Sequence, residues 1–185
     1  LNAKSGAQLF LKFEGMQRTG SFKARGACNA VFSLSDTDAA RGVVTHSSGN
    51  HAQAIAYAAR LRGISATIVM PTNAPPVKVA AVKGYGATVV WAGNHPLDRE
   101  QRLETVVAET GAVFIHPSND PRVIAGQGTA ALELLEDLPD LDVILVPVGG
   151  GGLLSGTALA VLGQGAGCRT VGAEPQAVDD AYRSW

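Results

Sequence analysis

The chain has 185 residues, 46% of them hydrophobic and 17% charged, with 22 Gly and 9 Pro. A charged fraction well below the ~25% of an average globular protein, together with a mean hydropathy of +0.12, excludes a disordered chain and leaves a compact, turn-rich one. A net charge of −1 gives no basic field for nucleic-acid phosphate or anionic lipid, so the expected partner is a small molecule, with no nucleic acid and no membrane.

No apolar run approaches the ~18 to 20 residues of a membrane span, and the first residues lack the pattern of a secretory signal. The expected compartment is cytoplasmic. Cys28 and Cys168 are too few for a disulfide framework, lack metal-binding spacing and read as interior thiols. The sequence starts at Leu1 without Met and stops just after Asp179-Asp180, a pair that resembles the opening of another element; a fragment is expected.

In chain order, short apolar runs at 9–13, 42–45, 66–69, 88–91, 112–115, 143–147 and 170–173 read as strands. Helical patterns fall between them at 21–34, 50–62, 76–85, 97–109, 124–135 and 153–162. Regular alternation implies right-handed crossovers and parallel sheets flanked by helices, an α/β protein. The four regular units between Val43 and His116 suggest a small domain, 42–119, inserted into a larger one made from 1–41 and 120–185. A cleft between two such lobes is a usual place for a ligand.

Three loops carry the chemistry. In Thr19-Gly20-Ser21-Phe22-Lys23-Ala24-Arg25-Gly26, Ser21 is the expected helix N-cap. Lys23 then faces the positive end of the helix dipole in the apolar setting of Phe22, Ala24 and Ala27. Those surroundings lower an amine's pKa and suit a nucleophile, although a solvated first-turn lysine satisfies the same pattern. In Thr45-His46-Ser47-Ser48-Gly49-Asn50-His51-Ala52-Gln53, hydroxyls, an amide and free backbone N–H groups gather at a helix start, which suits a carboxylate or phosphate, or an elaborate cap. In Pro147-Val148-Gly149-Gly150-Gly151-Gly152-Leu153, four glycines lie between a strand and a helix, more than a structural turn needs. Their spacing fits neither a P-loop nor a dinucleotide fingerprint, yet it suits amides turned inward around a phosphate. His95 and His116 read as loop or capping residues, and Gly126-Gln127-Gly128 as close backbone packing.

Together, Ser21-Phe22-Lys23-Ala24-Arg25-Gly26, Ser47-Ser48-Gly49-Asn50-His51-Ala52-Gln53, Ala125-Gly126-Gln127-Gly128-Thr129 and the glycine run at 149–152 resemble the fold-type II pyridoxal-phosphate enzymes, in the serine/threonine dehydratase and serine racemase branch. The resemblance implies that Lys23 forms an imine with the cofactor aldehyde, with Phe22 beside it. It implies that Gly149, Gly150, Gly151, Gly152 and Leu153 bind the phosphate, and that Asn50 meets the phenolic oxygen. Ser47, Ser48, Asn50 and His51 would hold the substrate carboxylate, and Ser48 would be a second acid/base on the face opposite Lys23. Glu174 and Asp180, with the Val178 carbonyl, resemble the Mg²⁺ or Ca²⁺ site of racemase-like members.

The activity so implied is a threonine/serine ammonia-lyase acting on a small hydroxy amino acid, as a homodimer in its full-length form. Serine racemase and 3-hydroxyaspartate dehydratase share every residue named, and a catalytically silent phosphate-ligand-binding fragment is the alternative of another class. Ala24 and His51 stand where cysteine and threonine synthases usually have Asp and Thr.

Overall fold

A computed structural model describes residues 2–184. After α1 (Asn2–Ser5), two 3-10 turns, Glu14–Met16 and Arg18–Gly20, lead into α2 (Lys23–Phe32) and the short α3 (Asp36–Ala40). Then come β1 (Val43–His46), α4 (Asn50–Arg62), β2 (Ala66–Pro71), α5 (Pro76–Gly84), β3 (Thr88–Ala92), α6 (Pro96–Thr110) and β4 (Val113–Phe114). The chain continues with α7 (Pro121–Asp137), β5 (Val143–Pro147), α8 (Gly152–Gly163), β6 (Arg169–Ala173) and α9 (Asp180–Arg183).

The strands form two parallel sheets, one ordered β3-β2-β1-β4 and the other β5-β6. The α/β expectation holds, and α9 starts where Asp179-Asp180 suggested an element. Among the described residues, no helix is long and apolar enough to cross a membrane.

Helix ends follow local chemistry. In α6, His95 accepts from the Leu97 amide, Asp98 accepts from the His95 amide, Pro96 occupies the first turn and Gly111 closes the helix at φ 65°. Asp120 caps α7 by accepting from the Arg122 amide. Val43 and Val44 on β1 and Ile68 and Val69 on β2 are fully buried between the helix layers, as strands covered on both faces require.

Two expectations are corrected. Residues 9–13 form no strand: among the described residues no neighbour pairs with them, and Leu9, Phe10, Leu11 and Phe13 are exposed. An apolar run becomes a strand only where a sheet edge accepts its backbone. Ser21 does not cap α2. The chain arrives from Gly20 at φ 73°, Ser21 is extended, Phe22 takes the cap position without a side-chain bond, and the Ser21 hydroxyl is buried without a partner.

Glycine sets the spacing of three helices. A Cβ on Gly126 would lie 2.6 Å from the Gly26 Cα, and one on Gly128 would lie 2.6 Å from the Gly156 carbonyl oxygen, so α2, α7 and α8 touch backbone to backbone. Between them Gln127 is fully buried and accepts from the Gly26 amide at 3.1 Å. The close packing expected of Gly126-Gln127-Gly128 is therefore present.

Arg25 ties α2 down. Its guanidinium bonds Glu14 at 2.8 and 2.9 Å and Glu133 on α7 at 2.6 and 2.8 Å, and donates to Thr129. Hydrogen bonds from Arg25 and then Lys12 pull the Glu133 carboxyl down to about 2. Cys168 is buried and Cys28 half-buried.

Candidate active site

Lys23 is the first residue of α2. Burial pushes its pKa below the ordinary lysine value, so the amine reaches its neutral, nucleophilic form more readily than a surface lysine. Its Nζ donates to the Pro117 carbonyl at 2.6 Å and lies 5.3 Å from the centre of the Phe22 ring. The turn before it is tense: Thr19 sits at φ 62°, where a β-branched residue is an outlier, and its hydroxyl is buried without a partner, like that of Ser21.

Residues 115–118 join the three loops. The Ile115 carbonyl accepts from the Thr45 hydroxyl at 2.8 Å and meets His51 Nε2 at 3.3 Å, which anchors the end of β1 and the start of α4. The Pro117 carbonyl receives Lys23. Ser118 lies against the glycine run, where a Cβ on Gly150 would come 2.7 Å from its hydroxyl and one on Gly152 3.1 Å from its carbonyl oxygen. Lysine, hydroxyl loop and glycine loop thus converge on one short segment. His116 acts as a cap within it, its Nδ1 accepting from the amides of Ser118 and Asn119.

The glycine run fits an anion. Gly151 adopts φ 82° at the start of α8, and among the described residues the amides of Gly149, Gly150, Gly151, Gly152 and Leu153 have no protein acceptor. Unsatisfied N–H groups at a helix N-terminus are what a phosphate dianion takes up. The second loop is a similar receptor: Gly49 precedes α4 with no side-chain cap, the Ser47 hydroxyl accepts from the Gly49 amide at 3.2 Å, and Ser48 is half-buried beside it. Asn50 opens α4, and its Oδ1 accepts from Lys78 on α5 at 2.7 Å.

His51 is buried, whereas Ser47, Ser48 and Gly49 are half-buried and Asn50 is exposed. Burial first, and then the Lys23 charge, push its pKa down to about 3, so the ring is neutral, with Nε2 turned to Ile115 and Nδ1 buried without a partner. Protonation of the unfolded ring near the ordinary value of 6.5 therefore opposes folding as pH falls from there towards 3. Chemical denaturation at stepped pH is expected to show the chain losing stability through that window, with a visibly shallower slope in His51→Gln; equal slopes would refute the assignment. His46 and His116 are also lowered by burial and add to the wild-type slope.

Glu174 and Asp180 lie around the loop after β6. Both Glu174 oxygens accept from the first turn of α9, from Ala181 at 3.1 Å and Tyr182 at 2.9 Å. Among the described residues no three His, Cys, Asp or Glu side chains gather as a metal centre.

The residues missed from sequence are Pro117 and Lys78. Pro117 contributes a backbone carbonyl, which no residue type signals, and Lys78 contributes a contact across 28 positions.

The model of the pyridoxal-phosphate dependent enzymes matches residues 1–185. The chain belongs to this family. It is 52% identical over 185 residues to the beta-hydroxyaspartate dehydratase of Paracoccus denitrificans, covering 59% of that protein. It is 53% identical over 184 residues to the serine racemase of Arabidopsis thaliana, covering 56% of it. It is 47% identical over 176 residues, 95% of this chain, to the L-threonine ammonia-lyase of Thermotoga maritima, covering 44% of it. The structure of maize serine racemase superposes with a TM-score of 0.97 at 51% identity, over 99% of this chain and 56% of that one. The chain therefore spans about half the length of the curated relatives it matches. Its parallel sheets flanked by helices are those of the pyridoxal-phosphate dependent fold.

Proposed function

We propose that the protein containing this chain is a pyridoxal-phosphate-dependent ammonia-lyase that takes a small β-hydroxy amino acid, L-threonine or L-serine, to a 2-oxo acid and ammonia. The observation that carries this reading is the half-buried Lys23 amine, its pKa lowered, held 2.6 Å from the Pro117 carbonyl beside a loop of unpartnered amides.

The cofactor, when bound, supplies an aldehyde that captures amines as imines and a ring that takes up the electrons left at Cα. Lys23 would hold the cofactor through its amine and, as a neutral amine, would serve as the base for the Cα proton. Phe22 lies beside that amine. The amides at 149–153 would hold the phosphate. Asn50, whose Oδ1 is taken by Lys78, would offer an amide N–H to the phenolic oxygen. Ser47, Ser48 and Asn50 hold the substrate carboxylate at the start of α4, with His51 contributing its backbone N–H, since its ring is neutral and turned to Ile115. A Mg²⁺ or Ca²⁺ on Glu174, Asp180 and the Val178 carbonyl is part of this proposal, and it would share the Glu174 oxygens with the α9 amides.

Racemisation is the second reading. Relatives named as serine racemases are about as similar as those named as dehydratases, and the Ser48 hydroxyl is a candidate proton donor for the second face. Product analysis separates the readings. The full-length protein with added cofactor is expected to make 2-oxobutanoate from L-threonine or pyruvate from L-serine. D-serine as the main product would establish racemisation, oxaloacetate from 3-hydroxyaspartate would reassign the substrate, and no product from any of the three would reject the lyase.

A further inference from the structure

Lys78 stands outside every motif read from the sequence, yet among the described residues it is the side-chain hydrogen-bond partner of Asn50. It is the third residue of α5, after Pro76 and Val77, and its Nζ donates to Asn50 Oδ1 across the gap to α4 at 2.7 Å. A cation in the first turn of a helix meets the positive end of the dipole, so its own helix gives it no support there. The interaction that favours it is with Asn50. That asparagine is equally free of local duty, for it opens α4 but does not cap it.

An asparagine amide has an accepting face and a donating face, and an ammonium can only donate. Lys78 therefore fixes the amide with Oδ1 towards itself and the NH₂ turned away. The reverse orientation would set N–H against N–H. A charge-assisted bond to Oδ1 also polarises the amide and makes its N–H groups stronger donors.

We infer that Lys78 is a positioning residue for the cofactor: it fixes the Asn50 amide so that its NH₂ is presented to the phenolic oxygen of pyridoxal phosphate and favours the ionised form of that oxygen. The inference rests on the cofactor reading proposed above. Lys78 acts through Asn50 and touches no reacting atom.

The test uses the full-length protein loaded with pyridoxal phosphate and follows its absorbance from acid to alkaline pH, in wild type, Lys78→Met and Lys78→Arg. In Lys78→Met the imine is expected to persist, but the visible band should fall several-fold relative to the near-ultraviolet band of the un-ionised phenol. The pH profile of that ratio should shift with it. Lys78→Arg, which still donates to Oδ1, should restore most of the wild-type ratio, and the apo forms should melt together because Lys78 is only half-buried.

A Lys78→Met spectrum and pH profile that match wild type would overturn the inference while leaving the cofactor reading intact. So would a raised KM with an unchanged spectrum, which would place Lys78 on the substrate. Absence of any imine band in wild type would reject the cofactor reading, and this inference with it.

Discussion

Lys23→Ala is expected to abolish both the imine absorbance of the cofactor-loaded, full-length protein and its turnover, whereas Lys23→Arg keeps a cation and restores neither. The proton-transfer role alone is worth about 10²–10⁴-fold in rate, and loss of the covalent anchor adds to it. The expectation follows from where the amine sits. As the first residue of α2, next to the Phe22 ring, Lys23 is partly withdrawn from water, which disfavours its charged form. Among the described residues its hydrogen-bond acceptor is the Pro117 carbonyl, not a carboxylate, so no anion there holds the proton on. The rate of imine formation with added cofactor should therefore rise with pH along a curve whose midpoint lies below the ordinary lysine range. A visible band and turnover that survive Lys23→Ala would show that another amine does the work. An inflection at the ordinary lysine value would show that burial does not tune this one.

The alternation of strands and helices was legible because each is written locally, in apolar runs of four to six residues and in helical spacing closed by Gly63 and Gly111 in the left-handed region. The three loops were legible because their composition is costly to explain as turns alone. The run at 9–13 misled because strand character depends on a partner, and no sheet edge among the described residues meets it. Ser21 misled for a related reason: the left-handed turn through Thr19 and Gly20 buries the hydroxyl that local pattern assigns to capping. The convergence on 115–118 was invisible because it is made by the carbonyls of Ile115 and Pro117, which every residue type possesses. Lys78 was invisible because its partner is set by the packing of α5 near α4 and by no spacing in the chain.

Gly156→Ala should be the most damaging small substitution away from the chemistry. The added methyl would enter the Ile124 carbonyl oxygen and lie 2.6 Å from the Gly128 amide nitrogen, and both neighbours are backbone of α7. A side chain in the way could rotate, but a helix backbone can yield only by moving the whole helix. Overpacking costs about 1–3 kcal/mol and more where nothing can rotate, and for a chain of this size each kcal/mol lowers the melting temperature by about 2–4 °C. The damage should reach the site, because α8 carries Gly151 and Gly152 at its start, and prising α8 from α7 shifts that cradle away from Ser118. Weaker cofactor binding is therefore expected at temperatures where the variant is still folded. Gly163→Ala is the control: it lies on the same helix, a Cβ there meets nothing within 4 Å, and alanine is the better helix former by about 1 kcal/mol, so its melting temperature should hold or rise. If Gly156→Ala melts with wild type, the α7–α8 contact is looser than its geometry requires. If it melts low but binds cofactor as tightly as before, the glycine loop is held by Ser118 independently of the helix crossing.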